Sequence, residues 1–183
     1  MPSQEECKNL AQKTAEAINA TDVIGSLLKK KFQTRTIGPA REMNLMCLVD
    51  IERRLRFVRA ESTEANSTYC EDIRTLCCSP SSDSSADGCP NYFVVTDNKV
   101  PDYDYFVQKV VADNCKMDQD LEDNVTELLE IKEEAFQILR ARWGSLEKDL
   151  EYLPPMASLV LLSAACLHNL CISLGEPPFD CDK

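Results

Sequence analysis

Between Tyr152 and Gly175 the chain has no Asp, Glu, Lys or Arg. The stretch 156–174, MASLVLLSAACLHNLCISL, is apolar nearly all round. Pro154-Pro155 precede it, and Gly175 with Pro177-Pro178 follow. Proline fits the first turn of a helix, where its missing N–H costs nothing, and glycine fits the position just past a helix end. One uninterrupted helix over 156–174 is therefore expected. Its 19 residues just reach across a bilayer. However, His168 and Asn169 interrupt the apolar run and no Lys or Arg closely flanks either end. The segment reads as the buried central helix of the core, and no membrane partner is expected.

The whole chain is 183 residues long, the size of one domain. Only 7% of residues are aromatic and only five are glycine. Many short strands joined by tight turns would call for more of both, so the composition leans helical. Ser3-Gln4-Glu5-Glu6 is a capping box that starts a helix at about residue 4, carrying Leu10, Ala11, Ala15 and Ile18. A second short helix is expected over Val23–Phe32. From Arg41, Met43, Met46, Cys47, Val49, Leu55 and Val58 suit a third, with a strand over 46–58 as its competitor. Tyr92–Val95 reads as a short strand and 103–111 as a helical face. A long helix over 119–152 repeats its apolar side chains at threes and fours until the prolines stop it. The expected fold is mainly α, a helical bundle around 156–174 with at most a small β element. Its parts are a basic N-terminal helical region (1–78), a mobile Ser-rich loop (79–90) and an acidic C-terminal helical region (91–183), together one domain.

Residues 1–60 carry 11 basic and 7 acidic side chains, whereas residues 61–183 carry 9 and 24. The overall charge of −11 argues against broad electrostatic binding to nucleic acid or anionic lipid. Local DNA or partner contact is still open to two basic clusters. One is Lys29, Lys30 and Lys31; the other is Arg53, Arg54 and Arg56 with Arg59. Ten cysteines and three glycosylation sequons, at Asn19, Asn66 and Asn124, point toward an oxidising, secretory setting. The N-terminus MPSQEECKNL, lacking an apolar core, points away from a signal peptide. No cysteine spacing specifies a metal; a four-cysteine zinc site from Cys70, Cys77, Cys78 and Cys89 is conceivable, and disulfides or buried thiols fit the positions better.

Two blocks resemble a known family. Lys132-Glu133-Glu134-Ala135-Phe136-Gln137-Ile138-Leu139-Arg140-Ala141-Arg142-Trp143 is similar to the V-E-x-A-F-G-x-L-K-x-R-W helix of Harbinger-type transposases. Some twenty residues later, Cys166-Leu167-His168-Asn169-Leu170-Cys171 resembles that family's C-x-L-H-N-x-C signature. The likeness covers about residues 130–175. It implies metal-dependent DDE-type nuclease chemistry with Mg²⁺ or Mn²⁺, in which Glu133 is the third metal-binding carboxylate. Two aspartates on strands of a ribonuclease-H-like sheet complete that pattern. Ala86-Asp87-Gly88-Cys89 resembles the first aspartate's setting, and Asp97 or Asp104 could supply the second. Only 45 residues separate Asp87 from Glu133, too few for the family's remaining strands. Two divalent metals need several carboxylates at once, and one helix glutamate does not supply them.

The expected function is therefore a truncated or domesticated transposase-derived protein, nuclear or cytoplasmic. It would be non-catalytic and act through a protein partner or DNA. The alternative is a secreted, disulfide-stapled helical protein of cytokine or effector type, glycosylated at Asn19, Asn66 and Asn124. His168, on an apolar helix, is expected to be a packed side chain bonded to neighbouring backbone.

Overall fold

Val23–Thr34, expected as a helix, is instead the central strand of a five-stranded mixed sheet. The computed structural model describes residues 3–35, 40–63, 68–77, 92–97, 106–108 and 119–177. Within them the elements run α1 (Gln4–Ile18), β1 (Val23–Thr34), β2 (Arg41–Val49), β3 (Leu55–Ser62), α2 (Tyr69–Cys77), β4 (Phe93–Thr96), β5 (Phe106–Gln108), α3 (Gln119–Arg142) and α4 (Pro154–Ser173). A short 3₁₀ turn, Gly144–Glu147, lies between the last two. The strand order is β3-β2-β1-β4-β5. β2 pairs antiparallel with both β1 and β3, whereas β4 pairs parallel with β1 and β5 parallel with β4.

This overturns the mainly helical expectation, and β2 shows why. Met43, Leu45, Cys47 and Val49 point to one face of the sheet, Met46 and Leu48 to the other, and all are buried. A strand covered on both sides reads as a continuous apolar run, which periodicity alone does not separate from a buried helix. α1 and α2 cover one face through Leu10, Ala11, Ile73 and Leu76. α3 and α4 cover the other through Ala135, Leu139, Ala157 and Leu161. The result is a three-layer α/β/α arrangement, with strands from both the basic and the acidic parts of the chain in one sheet.

Other expectations are met or corrected locally. The Ser3 capping box is present, with the Ser3 side chain accepting from the Glu6 amide and Glu6 accepting from the Ser3 amide. Tyr92–Val95 corresponds to β4. The expected helical face over 103–111 contains β5, and the 119–152 helix ends at Arg142. The loop 79–90, Asp87, Asp104 and Asn66 lie outside the described residues.

The apolar helix α4 is not wrapped on all sides. Its inward face is a narrow line, Ala157, Leu161, Ala164, Ala165 and His168, lying mainly on β3 and β2. Three alanines in that line let the helix sit close to the sheet; Leu161 is buried with them, while Leu159, Leu167 and Leu170 point outward. Leu162, which the sequence places in the core, is only half-buried.

Candidate functional site

The second family-like block, Cys166–Cys171, does structural work. Asn169 sits beside the start of β3 and accepts from the Leu55 amide at 2.8 Å while donating to the Leu55 carbonyl at 2.8 Å. Its amide thus reproduces a strand-like pairing with the backbone. His168 is fully buried, and its Nε2 lies 3.0 Å from the Arg53 carbonyl, which makes that nitrogen the N–H donor. Arg53 has a positive φ of 62°, in the turn between β2 and β3. Asp50 closes the same turn, accepting from the amides of Glu52 and Arg54 and pairing with Arg56 at 2.9 Å. The His-Asn pair is therefore a clamp on the β2–β3 turn, as the sequence suggests for a histidine on an apolar helix.

The first block ends at Arg142, whose guanidinium donates to the carbonyls of His168, Glu176 and Pro177. These contacts tie the end of α3 to the last turns of α4 and to the chain just beyond it, and the cation complements the dipole of that helix.

Burial holds the pKa of His168 below its ordinary value. The hydrogen bond to Arg53 opposes that shift, and the charge of Arg142 reinforces it. Below pH ~6.5 the unfolded chain takes up a proton that the folded chain resists, so stability is full above that pH and falls as the pH drops. His168 is the only histidine. The chemical-denaturation midpoint is expected to decline between pH 7 and 5.5, and His168→Gln should flatten that decline. An equal slope in the variant would assign the effect to other groups.

Glu133 and Asp97 come together at the other end of the sheet. Asp97 directly follows β4, and Glu133 is on α3, which Ser26 ties to β1 through a hydrogen bond to the Leu128 carbonyl at 3.1 Å. Two lysine ammonium groups adjoin these carboxylates. Lys30 of β1 donates to both Glu133 oxygens, at 2.9 and 2.8 Å. Its ammonium also lies 4.9 Å from the centre of the Phe136 ring. Lys132 is 1% exposed, with its ammonium 2.6 Å from Asp97 and 3.7 Å from Glu133. Its stem crosses the core while its charge reaches the carboxylates.

β1 contributes no carboxylate: its twelve residues include Lys29, Lys30 and Lys31 but no Asp or Glu. The chemistry of this donor set does not fit Mg²⁺ or Mn²⁺. Two fixed ammonium groups already compensate the two carboxylates, and a hard cation needs several oxygens at once. Among the described residues, no group of three or more His, Cys, Asp or Glu side chains is arranged to hold a metal. Of the four-cysteine candidate, Cys78 and Cys89 fall outside those residues.

The basic clusters are largely consumed within the chain. Lys31 pairs with Glu42, Arg53 with Glu134, Arg54 with Glu52, and Arg59 with Glu61 and Asp72. Lys29 is exposed and has no ion pair among the described residues. From the sequence these side chains read as a solvated face, or as contacts for DNA, an acidic partner or the chain's own acidic half. Two of the partners, Glu133 for Lys30 and Glu134 for Arg53, are far away in sequence and are brought near only by the packing of α3. An open cleft of about 540 Å³ lies between α1 and β3, lined by Lys13, Arg56, Phe57 and Asn169. Lys132 is the site residue that nothing in the sequence singles out, since a lysine in an acidic helix reads as a solvated one.

Asn19 is exposed at the end of α1, with a left-handed φ of 55°, and Asn124 is half-buried on α3. Cys7 and Cys47 are buried thiols, and Cys166 is an exposed one. Burial raises the Cys7 and Cys47 thiols well above their ordinary pKa. No family model, curated protein or solved structure matches the chain.

Proposed function

We propose that this chain is a transposase-derived protein that has given up metal-dependent cleavage and acts inside the cell, in the nucleus or cytoplasm, by binding another protein. The observation that carries this reading is the pair of lysines. Lys30 and Lys132 neutralise Glu133 and Asp97 where a nuclease would need open carboxylates. Descent from a nuclease is supported by a mixed sheet of the ribonuclease-H kind. Asp97 stands at a strand end of that sheet, and Glu133 on the helix packed beside it. Protein is favoured over DNA as the partner, because the chain is strongly acidic and most cations of its two basic clusters are paired internally. The exposed thiol of Cys166 suits a reducing compartment.

Supercoiled plasmid incubated with the protein and Mg²⁺ or Mn²⁺ should stay intact, and Mn²⁺ titration calorimetry should give no heat of binding. The double variant Lys30→Met, Lys132→Met frees both carboxylates and should acquire weak Mn²⁺ affinity. Wild-type nicking that disappears in Glu133→Gln would overturn the reading. Tight, salt-sensitive binding to duplex DNA would move the partner from protein to nucleic acid.

A further inference from the structure

We infer that the outer face of α4 is a self-association surface and that its occupant is a second copy of this chain. Leu153, Met156, Leu159, Leu167, Leu170 and Leu174 all face solvent, each between 42% and 68% exposed. The helix carries more large apolar side chains outside than inside: Ala157, Leu161, Ala164 and Ala165 lie on the sheet, while five leucines and a methionine at or beside the helix point outward. Positions 153, 156, 160, 163, 167, 170 and 174 alternate steps of three and four. That is the 3.5-residue repeat with which one helix presents a continuous seam to another. Ser163 lies at the midpoint of the seam and is exposed and small, so two helices can approach closely where they cross.

Area and charge select the occupant. The exposed side chains offer on the order of 600 Å² of apolar surface per copy. That is the most a monomer commonly leaves open (~300–600 Å²), and with a polar rim it approaches the ~800 Å² per partner of a standard interface. The chain's net charge of −11 makes most approaches of one copy to another repulsive. The stretch from Tyr152 to Gly175 carries no charge, so a two-fold pairing of this face meets no repulsion there. A lipid surface fits poorly, because Glu151 and Glu176 flank the stretch, whereas interfacial helices carry Lys and Arg.

Sedimentation equilibrium of the full chain, from micromolar to several hundred micromolar, tests this directly. A reversible dimer is expected. Leu167→Glu changes an exposed position and should leave circular dichroism and thermal unfolding of the monomer intact while weakening self-association about a hundredfold. Ser158→Glu, on the side of α4 turned toward β3, is not a suitable control; Gln12→Glu on α1 is, and should leave the dimer unchanged. A monomer throughout the concentration range would overturn the proposal. So would a dimer untouched by Leu167→Glu, or a monomer that instead binds neutral phosphatidylcholine vesicles through α4.

Discussion

Replacing Gly25 by alanine is expected to remove a large part of the stability of the fold. Gly25 lies in β1 with φ 146°, a conformation that residues with a Cβ rarely adopt, and an added Cβ would collide with the Val49 carbonyl oxygen of β2 and stand 3.1 Å from its carbon. The obstacle is backbone within the central strand pair, so no side chain can swing aside. The bulge between Val23 and Gly25, where β1 meets β4, depends on the same residue. Backbone strain and overpacking together should cost on the order of 3–5 kcal/mol, against a total stability of about 5–15 kcal/mol for a domain. Urea denaturation with circular dichroism measures it. Gly144→Ala is the matched control, because nothing lies within 4 Å of its added Cβ. A Gly25→Ala protein as stable as wild type would contradict the placement of β1 against β2.

Asn169→Ala is expected to have the second largest effect. The side chain makes two hydrogen bonds to Leu55, and its removal leaves an N–H and a C=O of partly buried backbone without partners. At roughly 1–3 kcal/mol for each unsatisfied group, with some return from water, the loss should be about 2–4 kcal/mol. Asn169→Asp keeps an acceptor for the Leu55 amide but faces the Leu55 carbonyl with a second oxygen, so it should rescue little. Hydrogen exchange at the Leu55 amide gives a readout that a general packing defect would not single out. That amide should lose protection more than the amides in the middle of β2. Equal protection in Asn169→Ala would show that the clamp on the β2–β3 turn contributes nothing.

Both positions show how unevenly the sequence speaks. Elements whose signals are local were legible. The Ser3–Glu6 capping box, the proline entry to α4 and the glycine beyond it each depend on residues within a turn of one another, and the structure has them nearly where expected. The β4 strand was legible as a short aromatic and β-branched run. The His168-Asn169 pair was legible as packing, because a polar pair on an apolar helix must find backbone partners. Glu133 was singled out through a resemblance, and Asp97 was one of two candidates for its companion.

Tertiary structure decided the rest, for one recurring reason. β2 and the first half of β1 are buried on both faces because helices cover both faces, and that double burial erases the period-two alternation that marks a strand; only from Lys29 to Thr34 does β1 alternate. Lysines 29–31 read as a solvated cluster until the sheet brings Glu133 to Lys30 from 103 positions away. Lys132 became a buried cation only when α3 was laid against β1 and β4, with its ammonium on Asp97. α4 shows the opposite case. Its sequence determined the helix and its apolar character, but not which side would be covered; the sheet covers the line of Ala157, Leu161, Ala164, Ala165 and His168, and Leu159, Leu167 and Leu170 are left outside. Local chemistry fixed where elements begin and end, and long-range packing fixed which charges meet and which faces remain open.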